Sequence, residues 1–111
     1  MRKSTIHFEV ALDKDNVPEK ITWDATEKPE DGPEETSAIN ISLWDPNERN
    51  TMRIDLWTKE MPVDEMKRFY IDCLGGMAQS ILNSTGDEFM STEMNNLCDK
   101  LVEHLKREQQ S

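Results

Sequence analysis

Apolar and polar residues alternate over the first quarter of the chain. Ile6, Phe8, Val10 and Leu12 are interleaved with Thr5, His7, Glu9 and Ala11. Period two predicts a strand with one buried face. Asp13-Lys14-Asp15-Asn16-Val17-Pro18 reads as a turn, because Asp and Asn side chains can bond their own backbone. Ile21, Trp23 and Ala25 then alternate with Lys20, Thr22 and Asp24, predicting a second strand and a hairpin. Ile39, Ile41 and Leu43 share one face of a third strand, and Met52, Ile54 and Leu56 one face of a fourth. Asp45-Pro46-Asn47-Glu48-Arg49-Asn50 supplies the turn between them.

After Trp57 the period changes. Val63, Met66, Phe69-Tyr70, Cys73-Leu74, Met77-Ala78 and Ile81-Leu82 recur at helical spacing, with Pro62 in the first turn and Gly86 as the stop. Gly75-Gly76 lies inside this pattern and reads as a close crossing of the helix with a neighbour, or as a kink. Phe89, Met90, Met94, Leu97-Cys98, Leu101-Val102 and Leu105 predict a second amphipathic helix, with Lys106 and Arg107 complementing its dipole. The seven methionines fall mostly on helix faces and read as core packing rather than a Met-rich groove.

The predicted fold class is α+β: a four-stranded, mainly antiparallel sheet with two C-terminal helices packed on one face. Ile6, Phe8, Val10, Ile21, Trp23, Ile39, Ile41, Leu43, Ile54 and Leu56 should then meet Met66, Phe69, Leu74, Met77, Leu97 and Leu101. At 111 residues, one domain spanning 1–111 is expected. Residues 26–37 hold acids, two prolines and a glycine but no large apolar side chain, which reads as a flexible, solvated acidic loop.

The net charge is −10, so the chain lacks the clustered Lys and Arg that non-specific nucleic-acid binding needs. No apolar run reaches the roughly 20 residues of a membrane span, and Met1-Arg2-Lys3-Ser4-Thr5 has no apolar stretch behind it. A cytoplasmic chain without membrane insertion is expected. Cys73 and Cys98 form no zinc-ligand spacing with each other or with His7 and His104, and should be buried, unlinked thiols. His7 and His104 read as ordinary surface side chains. Asp13-Lys14-Asp15-Asn16 starts like a calcium loop but has Pro18 where the loop needs glycine and Asp24 where it needs glutamate. No cofactor, metal or catalytic residue is assigned.

The densest polar stretch runs from Asp45 to Asp55, with Glu48, Arg49, Asn50 and Arg53 between. Ion pairing across a wet hairpin explains it more simply than acid–base catalysis, which needs an enclosed carboxylate. An enzyme built on this hairpin remains the competing class. The stronger candidate is an interaction face. Trp44 and Trp57 fall on the nominally polar side of their strands with Ser42, Arg53 and Asp55, and exposed aromatic residues serve as interface anchors. This face is the expected protein-binding surface, self-association included; a covering loop or N-terminal segment is the alternative.

Three segments carry a resemblance. Val17-Pro18-Glu19-Lys20-Ile21 with Trp23, Ile39 to Asp45, and the long run from Asn50 to Lys67 are similar to the gliding motility-associated protein GldC family of gliding bacteria. The resemblance implies a small, soluble, non-enzymatic accessory factor whose protein partners belong to the gliding and secretion machinery. Separately, four strands followed by two helices is the element order of the export chaperone SecB, an acidic tetramer, which suggests a holdase by analogy of wiring alone.

Overall fold

A computed structural model describes residues 1–110. The chain divides into two compact units, Met1–Met61 and Pro62–Ser111, the first all strand and the second all helix. The order is β1 (Ile6–Leu12), β2 (Pro18–Ala25), β3 (Glu34–Thr36), β4 (Ala38–Asp45), β5 (Asn50–Trp57), α1 (Val63–Thr85) and α2 (Glu88–Gln110). The α+β class and the two hairpins stand as the periodicity predicts.

The single four-stranded sheet does not. Five strands form two antiparallel sheets, one of β1-β2-β3 and one of β4-β5. The unforeseen strand, β3, lies within the acidic loop. Its sequence, Glu-Glu-Thr, has no apolar alternation; it is a strand because β2 offers an open edge, with Ile21 opposite Thr36 and Trp23 opposite Glu34. Pairing the backbone here outweighs a poor local strand propensity. The same loop anchors Lys28. Its side chain is only 4% exposed, its ammonium lies 5.5 Å from the Trp23 ring centre, donates to the Gly32 carbonyl, and sits 3.4 Å from Glu34 and 3.7 Å from Asp24. The ammonium lies over the indole face while its charge meets two carboxylates.

Both hairpin turns use an aspartate as the sequence suggests. Asp13 Oδ1 accepts from the Asp15 and Val17 amides at 2.8 and 3.1 Å, with Asn16 left-handed at φ 61°. Asp45 Oδ1 accepts from Asn47 and Glu48 at 2.9 and 3.2 Å, and Arg49 takes φ 57°. Asp13 also receives Lys59 Nζ at 3.0 Å, and the Lys59 amide donates to the Pro18 carbonyl at 3.1 Å. The Thr58 amide donates to Ser37 at 2.9 Å. These bonds tie the end of β5 to the first turn and to the start of β4.

In the second unit Pro62 stands one residue before the first helical position, in extended conformation. Gly86 ends α1 in the left-handed region at φ 74°, its amide donating to Leu82 at 2.8 Å, a stop that suits glycine. Asp87 caps α2 through Oδ1 to the Met90 amide at 3.0 Å. The helices run antiparallel: Lys67 at the start of α1 pairs with Glu108 at the end of α2 at 3.0 Å. Buried Ser91 donates to the Ala78 carbonyl at 2.9 Å. A methyl on Gly75 would lie 3.9 Å from Cys98 Sγ, and one on Gly76 would meet nothing within 4 Å. The glycine pair therefore marks neither a forced close approach nor a break in α1.

The expected core is thinner than the pattern suggests. Ile21 and Ala78 are fully buried and Ala38 nearly so, while Ile6, Phe8, Leu43, Ile54, Met77 and Leu97 are exposed. The α1 and α2 helices pack on each other along one seam. Cys73 and Cys98 are thiols but half-buried rather than buried.

Candidate functional site

The β4-β5 ribbon sorts its residues by register. Ile39 faces Leu56, Ile41 faces Ile54 and Leu43 faces Met52, which makes one side apolar. On the other side Ala38 faces Trp57, Asn40 faces Asp55, Ser42 faces Arg53 and Trp44 faces Thr51. All five candidate residues, Ser42, Trp44, Arg53, Asp55 and Trp57, thus share one face.

The structure does not bring the two tryptophans together. Trp44 lies at the turn end of the ribbon and Trp57 at the opposite end, six register positions away, or about 20 Å at the rise of a strand. They are 63% and 49% exposed. Between them Arg53 makes a forked contact with Asp55, Nη2 to Oδ1 at 3.0 Å and Nε to Oδ2 at 3.3 Å. Residues i and i+2 on a strand share a face, so this pair follows from spacing alone. Ser42, directly opposite Arg53, is exposed. The face is a polar centre with an aromatic anchor at each end.

The Trp57 end has relief as well as area. A groove there is lined by Val17, Pro18, Asp55, Trp57 and Lys59. Lys59 forms its rim, held to Asp13 at 3.0 Å and Glu19 at 3.3 Å. Hydrogen bonds from the Val17 and Asp15 amides and from Lys59 hold the Asp13 carboxyl below its ordinary value. The hydrogen bonds to Asp13 and Glu19 correspondingly push the Lys59 ammonium up.

The turn aspartate of the Asp45–Asp55 hairpin is occupied by backbone amides, and Asp55 is occupied by Arg53. This is the chemistry of a turn and an ion pair. Among the described residues no group of three or more His, Cys, Asp and Glu could hold a metal ion. No helix among them is long and apolar enough to cross a membrane. Sequence reasoning missed Lys28; the signal was a single lysine between Asp24 and Glu34 in an otherwise acidic loop.

Two antiparallel sheets followed by a helical hairpin, with aromatic residues displayed on a sheet face, define a small α+β protein. The model of the gliding motility-associated protein GldC-like family matches residues 18–107, and the chain belongs to that family. No curated protein and no solved structure matches it.

Proposed function

We propose that this protein is a small, non-enzymatic accessory protein of the bacterial gliding machinery, acting in the cytoplasm by binding other proteins. In this reading residues 1–111 work as one GldC-like domain, and the face carrying Ser42, Trp44, Arg53, Asp55 and Trp57 is the binding surface. The observation that carries it is the pair of exposed tryptophans flanking the Arg53–Asp55 pair in a GldC-like chain. Tryptophan and arginine dominate binding energy at interfaces, and anchors of this kind pair with pockets on a partner. The polar centre sets register, since a misplaced partner would leave Arg53 and Asp55 facing the wrong charges.

The test is capture from a lysate of a gliding bacterium with the wild-type chain and with Trp57→Ser and Trp44→Ser, quantifying components of the gliding and secretion machinery. Each substitution should lower retention of those components by roughly 30-fold, the effect of losing a 2 kcal/mol anchor. Equal retention by all three chains would refute the assignment of the face. A second reading, a holdase for exported proteins, draws on the open apolar side of the ribbon, where Leu43, Met52 and Ile54 are exposed. It predicts suppressed aggregation of an unfolded client, lost in Leu43→Ser and kept in Trp57→Ser.

A further inference from the structure

We propose that residues 26–36 form a strap that opens as a unit from the edge of β2 while β1 and β2 stay paired, and that Lys28 is its latch. The proposal is independent of the tryptophan face, because it rests on the other sheet.

Both ends of the strap are fixed. The Thr26 amide donates to the Thr5 carbonyl at 3.0 Å, and the Thr26 hydroxyl accepts from the Thr5 amide at 2.9 Å. At the far end the Ser37 carbonyl accepts from the Thr58 amide at 2.9 Å. Between these anchors the hold is thin. β3 makes three pairs with β2, whereas β1 pairs with β2 along its whole length. Glu34, Glu35 and Thr36 bring no apolar side chain to the sheet. Gly32 takes φ 92°, a left-handed turn that suits glycine and brings the chain back toward β2.

The strap's own charge works against closure. Residues 26–36 carry Glu27, Glu30, Asp31, Glu34 and Glu35, and Lys28 is the only Lys or Arg between Lys20 and Arg49. Like charges at this density repel and favour an extended, solvated chain. Lys28 opposes them at one point. Its ammonium joins Asp24 of β2 at 3.7 Å, the Gly32 carbonyl of the loop and Glu34 of β3 at 3.4 Å, beside the Trp23 ring. At 4% exposure these contacts are little screened. Removing the one charge breaks all of them and leaves two neighbouring carboxylates uncompensated.

Closed, the strap ends the sheet on a short acidic strand, which other chains pair with poorly. Open, it uncovers the edge of β2 at Ile21, Thr22 and Trp23, and an uncovered edge is where extended chains add to a sheet. The latch thereby decides which edge the sheet presents.

The experiment is native-state hydrogen exchange of the full chain, read amide by amide by NMR at low urea concentrations. In wild type the amides of Glu34–Thr36 should exchange about 100-fold faster than the β1-β2 ladder and with little dependence on urea, the signature of a local opening. Lys28→Met loses the charge and should speed that exchange by a further ~10-fold or more, with β1, β4 and β5 unchanged. Glu34→Gln should speed it by about 3-fold or more, and adding it to Lys28→Met should add nothing, because the two act through one contact. Should Lys28→Met unfold the sheet, the wild-type rates and Glu34→Gln decide. Exchange of Glu34–Thr36 in wild type at the rate and urea dependence of the β1-β2 ladder overturns the proposal, since the strap would then leave only on unfolding. Unchanged exchange in Glu34→Gln, or in a folded Lys28→Met, overturns the latch.

Discussion

Replacing Gly76 with alanine should stabilise the helical unit. Gly76 lies near the middle of the 23-residue α1, where glycine costs about 1 kcal/mol against alanine through the backbone freedom it retains when unfolded. Nothing lies within 4 Å of the position its Cβ would take, so no steric cost offsets the gain. Gly75→Ala should gain a similar amount, since its methyl would meet Cys98 Sγ at 3.9 Å, an ordinary contact. The two methyls point about 100° apart around the helix, so the double variant should approach ~2 kcal/mol. Urea unfolding followed by ellipticity at 222 nm, at one fixed protein concentration, reads this directly. With a slope of about 1–3 kcal/mol per molar urea, each alanine should raise the midpoint by roughly 0.3–1 M. A lowered midpoint for Gly75→Ala would mean that the helices approach more closely than Cys98 and Gly75 show. A lowered midpoint for Gly76→Ala would refute more. Gly76 lies well away from the seam, so a loss there would mean that α1 packs on a side where nothing lies within 4 Å of that Cβ.

Two further perturbations test local claims. Asp87→Ala removes the cap on the Met90 amide and should cost about 1 kcal/mol, read by the same urea midpoint, whereas Asp87→Asn should cost little. The lowered Asp13 carboxyl contributes stability above the ordinary carboxylate range, near pH 4, that is lost as the pH falls through its folded value. Asp13→Asn keeps the turn's acceptor but ends the Lys59 contact, so it should flatten that acid limb in a stability-against-pH series while leaving the strand signal intact; an unchanged limb would refute the assignment to Asp13.

Period and turn chemistry carried most of the fold in the sequence. The alternation of Ile39, Ile41 and Leu43 against Asn40, Ser42 and Trp44 needed only the pleat to place every side chain, and the register confirms each one. Asp13 and Asp45 were legible because a short carboxylate has few ways to act at a turn other than to accept nearby amides. Pairing was not legible. Four alternating strands fit one sheet or two equally well, since alternation specifies faces and says nothing of neighbours. The third strand had no local signal, because Glu34–Thr36 is a strand only through the open edge of β2. That Trp44 and Trp57 share a face was also hidden: a one-residue slip would turn Trp57 to the other side, and the pairing of Ala38 with Trp57 settles it.

The methionines show why an apolar pattern fixes faces before it fixes cover. Met66, Met77, Met90 and Met94 repeat at helical spacing, which fits a buried stripe as well as an open one. Charge is not spread evenly along the two helices. A surface helix in this acidic chain ordinarily carries acids and bases on its open side, as α1 does through Asp64, Glu65, Lys67 and Arg68, and as α2 does through Glu103, Lys106 and Arg107. From Cys73 to Gly86 that supply stops, although Met77 is more than half exposed and the chain as a whole is 32% charged. The uncharged stretch coincides with the turns of α1 that carry Met77 and Ile81, while the facing α2 row keeps Glu93 between Met90 and Leu97.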